Sequence, residues 1–121
     1  MTRFAILCHV GPQGRHWDFL LEGPAALRTW ALPQLPQAEA ELICEALPDH
    51  RLAYLDYEGP ISDGRGTVAR CDRGTYAVLS DSLGELLIEL CGARFCGQVS
   101  LRPVPERPGW WRFRWRGKDC K

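Results

Sequence analysis

Hydrophobic and polar positions alternate along this chain in short bursts, each broken by Gly or Pro. The apolar run Phe4–Cys8 suits a buried strand, and Gly11-Pro12-Gln13-Gly14 reads as the loop after it. A second strand is predicted over His16–Glu22, stopped by Gly23-Pro24, and a third over Leu27–Leu32, stopped by Pro33 and Pro36. Gln37–Ala46 is rich in Ala, Glu and Leu and is closed by Pro48, so it predicts the one clear helix. Beyond it, Arg51–Tyr57 predicts a strand and Ser62-Asp63-Gly64-Arg65-Gly66 a tight turn. Thr67–Cys71 and Thr75–Leu79 flank Asp72-Arg73-Gly74, a hairpin signal. Strands over Glu85–Leu90, Phe95–Leu101 and Trp110–Trp115 complete the set. The pattern is mainly β: a compact barrel or sandwich of about eight strands with one or two short helices.

Composition narrows the class of protein. The 121 residues predict one domain over 1–121. Hydrophobic residues make up 45% and charged residues 25%, which argues against disorder. The net charge is zero, so coating nucleic acid by bulk charge is excluded. No apolar run approaches the ~20 residues that cross a bilayer as a helix, and the first residues lack a secretory h-region. No membrane association is expected. The six cysteines contain no C-x-x-C and read as reduced thiols of a cytoplasmic protein. Thirteen of the fifteen cations are Arg, which can bind phosphate or carboxylate bidentately where Lys cannot.

Three groups of residues carry candidate chemistry. His16 and Asp18 are two apart on a predicted strand and so share a face, and His9 ends the strand before it. Two imidazoles and a carboxylate suit a divalent ion such as Mn²⁺, Zn²⁺ or Fe²⁺, although histidines near turns are often plain surface groups. Asp49-His50-Arg51 and Tyr54 form the second group: His50 as acid/base or phosphate donor, Tyr54 as hydroxyl donor, or both as ordinary packing. In the tail Arg107–Lys121, Arg112, Arg114 and Arg116 alternate with Trp111, Phe113 and Trp115. Period-two alternation puts the arginines on one face, for phosphate or for solvent, and the aromatics in the core.

A resemblance ties these groups together. Arg3-Phe4-Ala5-Ile6-Leu7-Cys8-His9, His16-Trp17-Asp18-Phe19-Leu20-Leu21-Glu22 and Thr29-Trp30-Ala31-Leu32-Pro33 resemble the opening of the 3′-phosphoesterase domain of bacterial DNA ligase D. The likeness runs on through His50, Tyr54, Asp56-Tyr57-Glu58-Gly59 and Asp72-Arg73-Gly74-Thr75-Tyr76 to the glycines near Cys91 and Cys96. It is strongest to a short free-standing branch of that family.

The resemblance implies a small β-barrel with a catalytic groove. It implies manganese, in a ligand set that by its chemistry also suits zinc, held by His9, His16 and Asp18, and phosphate contacts from His50 and Tyr54. The activity implied is removal of a 3′-phosphate or 3′-terminal ribonucleoside from nucleic-acid 3′ ends, DNA or RNA-tipped DNA, beside a repair ligase or polymerase. Leu20, Leu42 and Gln34 stand where the family has arginine, arginine and lysine, and Arg51 or Arg65 is expected to supply the missing charge. The alternative is a module of the same lineage that binds DNA ends or a partner without turnover.

Overall fold

A computed structural model describes residues 2–120; Lys121, the last residue of the arginine-rich tail, lies outside them. The alternation seen in the sequence becomes nine strands: β1 Arg3–Gly11, β2 Gly14–Glu22, β3 Leu27–Leu32, β4 Glu41–His50, β5 Gly59–Pro60, β6 Thr67–Ser82, β7 Glu85–Gly92, β8 Cys96–Pro103 and β9 Trp110–Lys118. They form one sheet in the order β1-β2-β3-β4-β9-β8-β7-β6-β5. Antiparallel pairing of β1 with β6 joins the two sides, so eight strands make a closed, ring-like sheet and the two-residue β5 lies outside it against β6. The mainly β expectation holds. No helix among the described residues is long and apolar enough to cross a membrane.

Closure gives the sheet an inner and an outer face, and apolar residues fill both. Phe4, Ile6, Phe19, Leu21, Trp30 and Phe113 meet inside the ring with the inward residues of β7 and β8. Each such side chain contributes about 1.5–3 kcal/mol by leaving water. The residues between them point outward. On β1 and β2 these are Ala5, Leu7 and Leu20, and they too are buried. Their cover is the stretch between β4 and β6, which drops Leu55 onto Ala5, Leu7, Leu20, Leu27 and Val68 as a second core. One outer wall of the ring is thus roofed, and polar residues further along the same strand faces lie at the edge of that roof.

Four expectations are corrected. The helix expected over Gln37–Ala46 is strand β4 with a turn before it. Leu42 and Cys44 are buried while Glu41, Ile43 and Glu45 are exposed, and pairing with β3 and β9 on both sides outweighs the helix-forming composition. The strand expected over Arg51–Tyr57 is a single 3-10 turn, Leu52–Asp56, because only Leu55 has a core to enter. It is the only helical element among the described residues.

The hairpin expected at Asp72-Arg73-Gly74 is the middle of β6, which runs straight through. Gly74 is there for close approach: a Cβ on it would lie 2.0 Å from the Cys91 carbonyl oxygen of the paired strand. Lastly, the six cysteines are not all free thiols. Cys96 and Cys120 form a disulfide, with 5.4 Å between their Cα atoms. The register explains it: Cys96 sits opposite Lys118, so the chain two residues on is within reach. Cys44, 0% exposed, behaves as the small hydrophobe expected, and burial pushes its thiol pKa up to about 12.

Candidate metal and phosphate site

β1 and β2 pair so that His9 faces His16 and Leu7 faces Asp18. Cross-strand neighbours share a face, so all three polar side chains emerge from the outer wall beside the second core. One ligand atom from each of His9, His16 and Asp18 lies within 4.8 Å of the others. His16 Nε2 is 2.8 Å from Asp18 Oδ1, His9 Nδ1 is 3.7 Å from Asp18 Oδ2, and His9 Nδ1 is 3.3 Å from His16 Nε2. Asp18 is only 2% exposed, and these two imidazoles face its carboxylate. The hydrogen bond to Asp18 raises the pKa of His16, partly offset by burial. Neutral nitrogen and anionic oxygen donors at this spacing, open to solvent on one side, fit a divalent cation that keeps free positions.

The remaining predicted residues gather at the same place. A cavity of about 340 Å³ is lined by His9, Asp18, His50, Arg51, Tyr54 and Arg65, with Leu7, Leu47, Pro48, Asp49, Ile61 and Val68. His50 ends β4 and the 3-10 turn carries Tyr54, so the roof of the second core is also one wall of the cavity. The His50 Nδ1–H donates to the Pro48 carbonyl at 3.0 Å, so Nε2 is the remaining ring nitrogen and donates to an anion only when it too carries a hydrogen. The His50 and Tyr54 rings meet edge to face at 6.0 Å, and the Arg51 guanidinium lies 5.8 Å from the Tyr54 ring centroid. Arg65 lines the cavity too, but its guanidinium is held by the Ser62 carbonyl (3.0 Å) and the Ser62 hydroxyl (3.1 Å).

A family model described as the DNA ligase D 3′-phosphoesterase domain matches residues 8–102. The chain belongs to that family. The multifunctional non-homologous end joining protein LigD of Pseudomonas aeruginosa is 33% identical over 96 residues, covering 71% of this chain and 11% of that protein. The multifunctional non-homologous end joining DNA repair protein LigD of Mycobacterium tuberculosis is 34% identical over 95 residues, 71% of this chain and 12% of the relative. The chain therefore spans only about a tenth of the length of these curated relatives. The family match takes in His9, His16, Asp18, His50, Arg51, Tyr54 and Arg65 and stops before β9.

Several positions singled out in the sequence fall elsewhere. Leu20 is 0% exposed and packs in the second core, two residues along β2 from Asp18. Leu42 points into the ring beside Phe113 and touches no part of the cavity. Beside the cavity is a cleft of about 550 Å³, lined by Arg15 among others, which shares His9 and Arg65 with it. The arginines of β9 are on the outer face as expected, with Trp111 and Trp115 packed against the inner core, but Arg112 pairs with Glu41 at 3.1 Å and none of them reaches the cavity. Two contributions gave no sequence signal: the Ser62 contacts that restrain Arg65, and the backbone carbonyl of Arg65, which lies 2.8 Å from His9 Nε2.

Proposed function

We propose that the protein is a metal-dependent phosphoesterase acting on nucleic-acid 3′ ends, removing a 3′-phosphate or a 3′-terminal ribonucleoside in DNA end processing. The observation that carries the reading is the convergence of His9, His16 and Asp18 at the edge of a cavity whose other wall bears His50, Arg51 and Tyr54. Membership of the 3′-phosphoesterase family and relatives named for end joining support the nucleic-acid substrate. A divalent ion, manganese first and zinc second, would be held by His9, His16 and Asp18, and would polarise a phosphoryl oxygen and lower the pKa of bound water.

The chain's own residues supply the rest. Asp18 brings one negative charge to the cluster and keeps His16 oriented through its 2.8 Å contact. The Tyr54 hydroxyl and the Nε2–H of a doubly protonated His50 hold the phosphate oxygens that the cluster does not take. Arg51 faces the charge that builds in the transition state, where a positioned donor is worth about 10²–10³ in rate. No side chain lining the cavity is a Ser, Thr or Cys, so water is the simpler nucleophile.

A second reading keeps the binding and drops the turnover. Leu20 favours it, because an apolar side chain occupies the position of a family arginine beside Asp18. One experiment separates the two: purified protein, Mn²⁺, and primer–template DNA ending in a 3′-phosphate or a single 3′-ribonucleotide. Release of phosphate or nucleoside by the wild type, lost in His16→Ala, supports the enzyme. End binding without product at any Mn²⁺ concentration supports the module.

A further inference from the structure

We infer that the backbone carbonyl of Arg65 is a positioning group that selects the tautomer of His9 and aims its Nδ1 lone pair into the donor cluster. The inference deepens the metal reading and rests on it for its purpose, but its geometry stands apart from any ion. His9 Nε2 is 2.8 Å from the Arg65 carbonyl oxygen. A carbonyl oxygen only accepts, so Nε2 carries the hydrogen, and in the neutral ring Nδ1 then carries the lone pair. Nδ1 is the atom that faces the cluster, 3.3 Å from His16 Nε2 and 3.7 Å from Asp18 Oδ2. The opposite tautomer would set a lone pair against the carbonyl and point a hydrogen where a cation belongs. His9 would therefore ligate through Nδ1, whereas His16 Nε2, which donates to the Asp18 carboxylate at 2.8 Å in the metal-free site, would give up that hydrogen to the ion.

The contact is built by close backbone approach, not by the Arg65 side chain. Gly66 has φ +98°, and a Cβ on it would lie 1.9 Å from the Val10 carbonyl oxygen and 2.6 Å from Gly11 Cα. A Cβ on Gly11 would lie 3.0 Å from the Arg65 carbonyl oxygen itself. Two glycines, one on the end of β1 and one in the turn before β6, thus let the turn settle against the strand. The turn braces itself: the Ile61 N–H donates to the Gly66 carbonyl at 2.7 Å, and the Arg65 guanidinium folds back on Ser62. The same turn that looks from its sequence like a carrier of one arginine holds a metal-site histidine by its main chain.

The test reads the tautomer directly. In chelator-treated protein labelled with ¹⁵N-histidine, at a pH where the ring is neutral, NMR should show His9 as the Nε2–H form. Arg65→Ala should leave that signature in place. Gly66→Ala should lift the turn, erase the preference and weaken Mn²⁺ binding, followed by the EPR signal of free Mn²⁺, by about tenfold or more. Gly11→Ala should move both readouts the same way by less, and it decides the question if Gly66→Ala does not fold. A wild-type His9 in the Nδ1–H form overturns the inference, as does a folded variant set in which neither glycine substitution changes the tautomer. If Mn²⁺ does not bind the wild type while the tautomer behaves as described, the metal reading fails and the positioning by Arg65 stands.

Discussion

Two aspartates of this protein are buried to the same degree, Asp18 at 2% exposure and Asp72 at 3%, and they are treated in opposite ways. Asp72, in the middle of β6, accepts three main-chain N–H groups from the β7–β8 connection: Ala93 at 2.9 Å, Arg94 at 3.1 Å and Phe95 at 2.9 Å. Those donors cannot leave or change charge. Asp18 has imidazoles instead, His16 at 2.8 Å and His9 at 3.7 Å. Imidazoles can give up a proton and turn a lone pair toward a cation. The difference teaches how to tell a structural buried carboxylate from a functional one: by whether its partners are fixed donors or are themselves ligands.

That contrast is broken most directly by neutralising each aspartate in turn. Asp18→Asn should abolish metal binding and lower 3′-end hydrolysis by about 10³ or more, the several kcal/mol that a metal ion supplies. Its melting midpoint should stay near that of the metal-free wild type, because the imidazoles it leaves reach solvent and are not buried main-chain donors. Asp72→Ala should do the reverse. Three N–H groups lose a charged acceptor, at a cost on the order of 3 kcal/mol or more in stability. Whatever protein remains folded should keep its metal affinity. The comparison collapses if urea denaturation finds Asp18→Asn as damaged as Asp72→Ala, or if Asp72→Ala loses metal while still folded.

The same two residues mark how far the sequence could be read. His16-x-Asp18 on one face followed from strand alternation alone, since Trp17 and Phe19 between and beyond them are apolar. Asp72 was misread, because Asp-Arg-Gly resembles a turn. Its real cue is the other strand: Gly74 is small to clear Cys91, and only the pairing of β6 with β7 shows that. Strand β4 was hidden for a similar reason, as Glu, Ala and Leu favour helix until two neighbouring strands demand hydrogen bonds. That His50 and Tyr54 join His9 across the cavity follows from no local pattern. The family likeness carried it, and the covering stretch above the second core is the physical cause.

A smaller effect sharpens the comparison on the phosphate side, where two arginines replace the two aspartates as the pair. Arg51 lines the cavity with no carboxylate partner among the described residues, whereas the Arg65 guanidinium is committed to Ser62. Arg51→Ala should lower kcat/KM for 3′-phosphate removal by about 10²-fold. Arg65→Ala should cost about tenfold or less, since its backbone role survives the substitution. Equal losses would mean that Ser62 releases Arg65 when substrate arrives, and that both guanidinium groups reach the anion.

The smallest effect is a pH dependence that belongs to the Asp18 cluster. The hydrogen bond to Asp18 raises the pKa of His16 above the 6.5 of a free imidazole. The folded protein then binds that proton more tightly than the unfolded chain. The resulting stabilisation is complete below the unfolded pKa and fades as pH rises through the higher folded value. The His16 side chain is 33% exposed, so solvent screening keeps the contribution under about 1 kcal/mol. In the presence of a chelator, the melting midpoint of the wild type should therefore fall by a few degrees relative to His16→Gln as pH rises from about 6 to about 8. Excess Mn²⁺ should reverse the sign, because the ion and the proton compete for His16 Nε2 and deprotonation favours the ion. Wild-type and His16→Gln curves that stay parallel with and without Mn²⁺ would show that the contact between His16 and Asp18 does not persist in solution.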